Sequence, residues 1–268
     1  MPRSRKKKPI SRRRANGMSA RLEKKKNQRT LYAESIEEDL ETMIMNTEPI
    51  PVSFRDAAAR ASEADRTVLL LRHSMRESLK NGTSDPPLTP EGMEYARTCA
   101  GPLAALGHAG FGASPRIRGM QTAEALRQGM GKGVENEQIR AVEEISDTAM
   151  FEYPERLDDA LKGSDIPALL RQYFSTGRCP GMKDLEPFAD GLAKFLTETD
   201  FGCRNMILIS HDIVIVALMS VLKARVFKAD DWCGYLEGAA LFRSPGGDWT
   251  IGYAVPDLRT KKKMSLFI

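Results

Sequence analysis

The sequence predicts an α/β fold in which a largely parallel β-sheet lies between two layers of helices. Short runs of five or six largely apolar residues, such as "TVLLL" and "NMILIS", are typical of strands that are buried on both faces of a parallel sheet. Amphipathic helical patterns separate these runs, and strands that alternate with helices indicate a three-layer domain. A chain of 268 residues with 41% hydrophobic residues is long enough to bury one substantial core.

The first buried strand, at residues 67–71, is followed by helical patterns. "LTPEGMEYARTCA" predicts a helix with Thr89 as its N-cap and Pro90 at its first position. "RGMQTAEALRQGM" indicates a second helix. Apolar positions at helical spacing indicate a third helix around 166–173 and a strongly amphipathic one at 185–196.

The last part of the predicted domain contains a strand, a helix and a hairpin. The strand "NMILIS" precedes the apolar helix "IVIVALMSVLK". "GAALFRS" and "WTIGYAV" flank the turn sequence "PGGD", and this arrangement predicts a β-hairpin at a sheet edge. The sequence contains no internal repeat that would indicate a solenoid or an array.

Charge divides the chain into a basic N-terminal segment and an acidic remainder. Residues 1–30 carry thirteen Lys or Arg side chains and one acid, whereas the remaining residues carry a net charge of −8. We interpret residues 1–30 as a basic disordered tail, 31–66 as an acidic, partly helical connector and 67–268 as the folded domain that carries any functional site. Because clustered cations release counterions from phosphate backbones, the tail is expected to contact polyanions.

The remaining composition excludes several classes of protein. The four cysteines lie far apart without a C-x-x-C pair, which argues against a zinc ribbon or a disulfide scaffold and fits a reducing compartment. The longest apolar stretch, 206–222, is interrupted by Ser210, His211 and Asp212 and is therefore a poor membrane span. We expect a cytoplasmic or nuclear protein with no membrane partner. The sequence does not predict its oligomeric state.

Polar side chains directly follow two of the predicted strands. Arg72 and His73 follow "TVLLL", and His211 and Asp212 follow "NMILIS". Because ligands of such sheets bind beyond the carboxyl ends of the strands, we expect two of the three histidines to share one crevice. A neutral imidazole is a competent nucleophile, and one guanidinium group can bind two phosphate oxygens through two parallel hydrogen bonds. The pattern therefore favours chemistry on a phosphoryl group.

Four segments resemble a known family. "LLLRHSMRE" resembles the Arg-His-Gly signature of the histidine phosphatase superfamily, which has the phosphoglycerate mutase-like fold. "PLTPEGMEYA", "ASPRIRGMQTAEAL" and "LISHD" resemble three further family elements, in the family's order across residues 67–255. The resemblance implies that His73 is the nucleophile that becomes phosphohistidine. It also implies that Arg72 and Arg118 hold the phosphate, and that His211 donates to it.

The resemblance leaves the proton donor open between two acids. Asp212 matches the His-Asp acid of the acid-phosphatase branch, in which Arg76 also matches a pocket arginine. "VEEI" resembles the glutamate segment of the other branch, which points to Glu144. Ser74 replaces the family's glycine and is expected either to narrow the pocket or to add a hydroxyl donor. Arg116 is expected to be a solvated helix residue.

The resulting prediction is a phosphomonoesterase for a phosphorylated small molecule or phosphoprotein, with no metal and no nucleotide cofactor. One alternative is a phosphoglycerate mutase, against which Arg76 counts because the mutase signature has serine there. Two others are a non-catalytic module that binds a phosphate ligand or phosphopeptide, and a nucleic-acid partner protein led by the basic tail. Residues 145–182 are expected to cover the pocket. The sequence does not identify the substrate.

Overall fold

The computed structural model describes residues 51–78, 85–131, 138–161, 166–228 and 231–258. In these ranges the sheet has seven strands: β1 Pro51–Ser53, β2 Arg66–Arg72, β3 Ala109–Ala113, β4 Ile139–Ala141, β5 Asn205–Ser210, β6 Gly238–Arg243 and β7 Trp249–Val255. Their order in the sheet is β1-β7-β6-β2-β5-β3-β4. Only β6 among these strands runs antiparallel to its neighbours, so the predicted α/β fold with a largely parallel sheet is confirmed.

The helices flank this sheet. The described part of the chain contains α1 Phe54–Glu63, α2 Pro90–Cys99, α3 Ile117–Met130, α4 Pro154–Leu161, α5 Ile166–Thr176, α6 Leu185–Glu198 and α7 Asp212–Val221. Helix α2 packs against α3, and α6 packs against α7. Within the same residue ranges, no helix combines the length and the apolar character that crossing a membrane requires. The basic tail expected at 1–30, and the connector as far as residue 50, lie outside the described residues.

The central strands β2 and β5 bury both of their faces. Leu69 and Leu71 of β2 and Ile207 of β5 belong to a core that also contains side chains of α1, α2 and α3. Leu70 and Leu208, which alternate with them, point to the opposite face and are equally inaccessible to solvent. Burial on both faces explains why these strands appear in the sequence as continuous apolar runs.

Helix α2 begins as its sequence predicts. The hydroxyl oxygen of Thr89 accepts a hydrogen bond from the amide of Gly92 over 2.9 Å, and Pro90 occupies the first helical position. Gly92 also lies against the backbone that follows β2. A Cβ atom at Gly92 would lie 2.1 Å from the carbonyl oxygen of Met75. The helix therefore approaches the loop after β2 more closely than any other residue type at position 92 would allow.

The β6–β7 hairpin forms as predicted, but its expected place at a sheet edge is wrong. Strand β6 pairs with β2, and β7 pairs along its other edge with β1, where Pro51 lies opposite Tyr253. Strand β1 has only three residues, too few for an apolar pattern, and it is defined by its pairing with a distant strand. Ser53 then caps α1 by accepting a hydrogen bond from the amide of Asp56 over 3.1 Å. The sheet and its first helix thus include residues that precede position 67.

Candidate functional site

The parallel pairing of β2 with β5 brings two histidines side by side. Arg72 pairs with Ser210 at the last position of the register, and the amide of His73 donates to the carbonyl oxygen of Ser210 over 3.0 Å. The ring centroids of His73 and His211 lie 5.4 Å apart in an edge-to-face arrangement. The two side chains therefore share one crevice at the carboxyl end of the sheet, as parallel strands require.

The imidazole of His73 is held in one tautomer. Its Nδ1 lies 2.7 Å from the carbonyl oxygen of Ser74. Because a carbonyl only accepts, Nδ1 carries the proton and Nε2 carries the lone pair. Burial, followed by the charges of Arg72, His211 and Arg118, lowers the pKa of His73 well below its ordinary value. At neutral pH the ring is therefore the neutral, nucleophilic form.

The guanidinium group of Arg72 is held from three sides. Nη2 forms an ion pair with the carboxylate of Asp212 over 3.0 Å, and Nη1 donates to the carbonyl oxygen of Cys233. The ring of Tyr235 covers one face, with its centroid 4.6 Å from Cζ. Nε is buried and makes no hydrogen bond within the described ranges. These contacts fix the cation beside the nucleophile.

Arg118 connects two carboxylates to the second histidine. Nη1 pairs with Asp85 over 3.0 Å, and Nη2 pairs with Asp147 over 2.9 Å. Nη2 also donates to Nδ1 of His211 over 3.1 Å, so Nε2 of His211 carries the proton and donates to the hydroxyl of Ser114 over 2.9 Å. Burial lowers the pKa of His211 to about 4, against the opposing effect of Asp147.

The two candidate proton donors lie in different surroundings. Asp212 contacts Arg72 and accepts a hydrogen bond from Nε1 of Trp232 over 3.1 Å. Burial alone raises the pKa of Asp212, but Arg72 and Trp232 outweigh it and keep the pKa below its ordinary value. Glu144 lies just after β4, where it lines a cavity of about 450 Å³ with residues of α6. None of the arginines or histidines described above lines that cavity.

Two further arginines lie near this cluster. Arg76 is half-buried, and its Nη1 donates to the backbone oxygen of Glu77 over 2.9 Å. Burial lowers the pKa of Arg118 against the opposing effect of Asp147 and Asp85, and the charges of Arg116 and Arg76 lower it further. Arg76 pairs with Leu88, whose amide donates to Oε1 of Gln121 in α3 over 2.7 Å. Nε of Arg116 donates to Asp147 over 3.0 Å, so the expectation of a solvated Arg116 is wrong. Its position as the N-cap of α3 turns the side chain toward the site.

Ser74 connects the nucleophile's loop to two helices. Its hydroxyl donates to the carbonyl oxygen of Gly92 in α2 over 2.7 Å, and its amide donates to the hydroxyl oxygen of Thr122 in α3 over 3.0 Å. The hydroxyl of Thr122 in turn donates to the carbonyl oxygen of Arg118 over 2.7 Å. The hydroxyl of Ser74 is therefore used to hold α2, so its expected role as an added hydroxyl donor in the pocket is wrong.

Sequence reasoning did not select several residues of this cluster. They are Asp85, Ser114, Asp147, Trp232 and Tyr235. Ser114 lies in the segment "ASPRIRGMQTAEAL", but the resemblance implies no role for it, and the other four residues lie outside the four segments. Contacts in the folded chain identify all five. Four arginines and three aspartates meet here, so with neutral histidines the cluster has a formal net charge of one positive unit.

Comparison with known families agrees with this geometry. The model of branch 1 of the histidine phosphatase superfamily matches residues 68–233, which is more than half of the chain. The chain belongs to the histidine phosphatase superfamily. The matched range contains both histidines, all four arginines and all three aspartates of the cluster. The predicted family is therefore confirmed.

Solved structures of this histidine phosphatase fold resemble the chain at low sequence identity. Phosphoserine phosphatase from Entamoeba histolytica, in complex with 3-phosphoglyceric acid, is 15% identical with a TM-score of 0.50, over 72% of this chain and 98% of that one. Phosphoglycerate mutase from Bacillus anthracis is 15% identical with a TM-score of 0.47, over 71% and 93%. The first likeness supports the fold alone. No curated protein matches the sequence.

The neutral state of His211 can be tested by NMR titration. We expect its ring to become protonated only near pH 4, with the proton on Nε2 above that pH. In the unfolded chain histidine titrates at about pH 6.5. Between about pH 4 and this value, the unfolded state therefore binds more protons at His211 than the folded state does. The free energy of unfolding should therefore fall as the pH is lowered from about 6.5 toward 4. Signals lost in a His211→Gln variant assign the ring, and a midpoint near 6.5 would contradict the geometry.

Proposed function

We propose that this chain hydrolyses phosphate monoesters through a phosphohistidine intermediate on His73. The observation that carries the proposal is the hydrogen bond from Nδ1 of His73 to the carbonyl oxygen of Ser74, which leaves a lone pair on Nε2. Arg72 and Arg118 lie beside this nucleophile, and both hold a buried Nε–H without a partner in the described part of the chain. Membership of the histidine phosphatase superfamily supports a phosphatase or a mutase.

In the first step, Nε2 of His73 attacks phosphorus. The new N–P bond forms as the ester P–O bond breaks, and the departing alkoxide takes a proton from a carboxylic acid. Arg72 and Arg118 offset the negative charge on the oxygens of the transferring group. The phosphorylated ring is an imidazolium, so the bond from Nδ1 to Ser74 becomes charge-assisted and stabilises the intermediate.

The second step releases phosphate. The carboxylate left by the first step takes a proton from water as the water oxygen attacks phosphorus. The N–P bond breaks, and its electron pair returns to Nε2 of His73. Inorganic phosphate leaves with the oxygen supplied by water, and both the histidine and the acid regain their starting protonation states.

We assign the proton donor to Asp212. In the free protein its carboxylate pairs with Arg72, which would also hold the phosphoryl group. A phosphoryl group on Arg72 weakens that ion pair and adds a nearby negative charge, and both changes raise the pKa of Asp212 so that it can carry a proton. The matching family model is that of branch 1 and not of the acid-phosphatase branch, which favours Glu144. The ion pair with Arg72 favours Asp212, because Glu144 instead lines the cavity beside α6. The substrate class stays a phosphorylated small molecule or a phosphoprotein.

The nucleophile can be tested with His73→Ala. We expect kcat on nitrophenyl phosphate, measured with a chelator present, to fall by about 10³-fold or more because no other group here forms the intermediate. His108→Ala removes an exposed histidine next to β3, at the opposite end of that strand from the site, and should leave kcat unchanged. Near-UV circular dichroism checks that both variants fold.

Turnover by folded His73→Ala at the wild-type rate would contradict the proposed mechanism. A wild-type chain that binds phosphate without hydrolysing any ester would instead indicate a non-catalytic phosphate-binding module.

The proton donor can be tested by comparing leaving groups. Asp212→Asn should lose about 10²-fold or more in kcat/KM on alkyl phosphates, and less on nitrophenyl phosphate, whose leaving group needs little protonation. Glu144→Gln removes an acid from the neighbouring cavity and should show a weaker effect without leaving-group dependence. The reverse pattern would assign the donor to Glu144. Equal losses on both substrates for Asp212→Asn would mean that Asp212 positions the phosphate and donates no proton.

A further inference from the structure

Asp147 is the most highly connected acid of the site. It begins the short 3₁₀ helix Asp147–Met150 on the connection after β4. Its Oδ1 accepts hydrogen bonds from the amide of Thr148 over 2.9 Å and from the hydroxyl of Ser146 over 3.2 Å. These local bonds hold the carboxylate in place before any contact with a cation is considered. Asp147 is therefore a fixed group, and its negative charge stays at one point.

The fixed carboxylate of Asp147 meets three cationic or polar groups. Oδ2 pairs with Nη2 of Arg118 over 2.9 Å, and Oδ1 pairs with Nε of Arg116 over 3.0 Å. Oδ1 also lies 3.9 Å from Nε2 of His211. Burial raises the pKa of Asp147, but His211 and the two arginines lower it by more. The net pKa is below its ordinary value, so the carboxylate is ionised. Asp147 thus fixes the positions of two arginines relative to the second histidine.

The same contacts place Asp147 in competition with a phosphoryl group. A guanidinium has five N–H donors, and on Arg118 those already used go to Asp85, Asp147 and His211. A phosphoryl oxygen that binds Arg118 must share the remaining donors or displace a carboxylate. It also meets the like charge of Asp147, which is unfavourable in a buried site.

We propose that Asp147 is a positioning residue that orders Arg118 and His211 in the free protein and lowers the affinity for phosphate by competing for the same cations. The inference rests on the proposed function, because it takes Arg118 as part of the phosphate site. Weakened phosphate binding has a consequence for turnover, since inorganic phosphate is the product. A site with a balancing carboxylate releases that product more readily than a site with arginines alone.

The test is calorimetric titration of the full chain with inorganic phosphate near pH 8, where the ligand is a dianion. Asp147→Asn keeps the shape and an acceptor oxygen but removes the charge, and we expect phosphate to bind about tenfold more tightly. Asp248→Asn removes one exposed acid from the β6–β7 turn, at the opposite end of the sheet, and should change the affinity less than about twofold. Asp85→Asn, which frees another nitrogen of Arg118, should tighten binding by a smaller factor and serves if Asp147→Asn does not fold.

Steady-state kinetics separate positioning from proton donation. In Asp147→Asn, KM should fall. We expect kcat to fall several-fold by the same factor on alkyl and aryl phosphates, because the more tightly bound product leaves more slowly and an amide holds Arg118 less firmly than a carboxylate does. A loss confined to alkyl phosphates would make Asp147 the proton donor and overturn the inference. Unchanged or weaker phosphate binding in folded Asp147→Asn and Asp85→Asn would also overturn it. Binding does not depend on turnover, so a wild type that binds phosphate but hydrolyses nothing contradicts the proposed function alone.

Discussion

The parallel register between β2 and β5 sets the relative positions of the two histidines around which the rest of the site is arranged. It runs from Thr67 opposite Asn205 to Arg72 opposite Ser210, and the amide of His73 continues it by donating to Ser210. A shift of one residue would turn the side chain at position 73 to the other face of the sheet. Because both strands are buried on both faces, the packing of their apolar residues strongly specifies this register. The stability of the core and the geometry of the two histidines thus depend on the same pairing.

The charges around the histidines form a second level of organisation. Among the described residues, two arginines are almost fully buried, and each is held by at least one carboxylate: Arg72 by Asp212, and Arg118 by Asp85 and Asp147. Burying an unpaired cation is costly, and these ion pairs offset that cost. They also order the guanidinium groups before a ligand arrives. An anion that replaces a carboxylate therefore meets donors that need little reorientation.

The segments that the sequence predicts well are those whose signal is local. "TVLLL" and "NMILIS" are identifiable because strands that are buried on both faces are apolar at nearly every position. Thr89 and Pro90 mark a helix start because threonine favours the N-cap and proline the first helical position. The ordered family motifs likewise identified His73 and His211, because they follow those strands directly. The central fold and the centre of the site were therefore predictable.

The parts that escaped prediction depend on contacts between distant segments. Strand β1 is defined by its pairing with β7, about two hundred residues further along the chain. Asp147 carries no motif, and its importance appears only when the turn after β4 brings it to Arg118. Arg116 was assigned to solvent from helical spacing, which does not apply at an N-cap. The roles of Asp212 and Glu144 stay predictions, although the structure places only Asp212 in contact with Arg72.

The central claim is that the bond from Nδ1 of His73 to Ser74 makes Nε2 the nucleophile. The most direct test is to stop the enzyme in base during turnover and to identify the isomer of phosphohistidine by phosphorus NMR. Phosphate on each of the two ring nitrogens gives a distinct signal. We predict phosphate on Nε2 of His73, in acid-labile and base-stable linkage. Phosphate on Nδ1, or on a residue other than His73, would contradict the account.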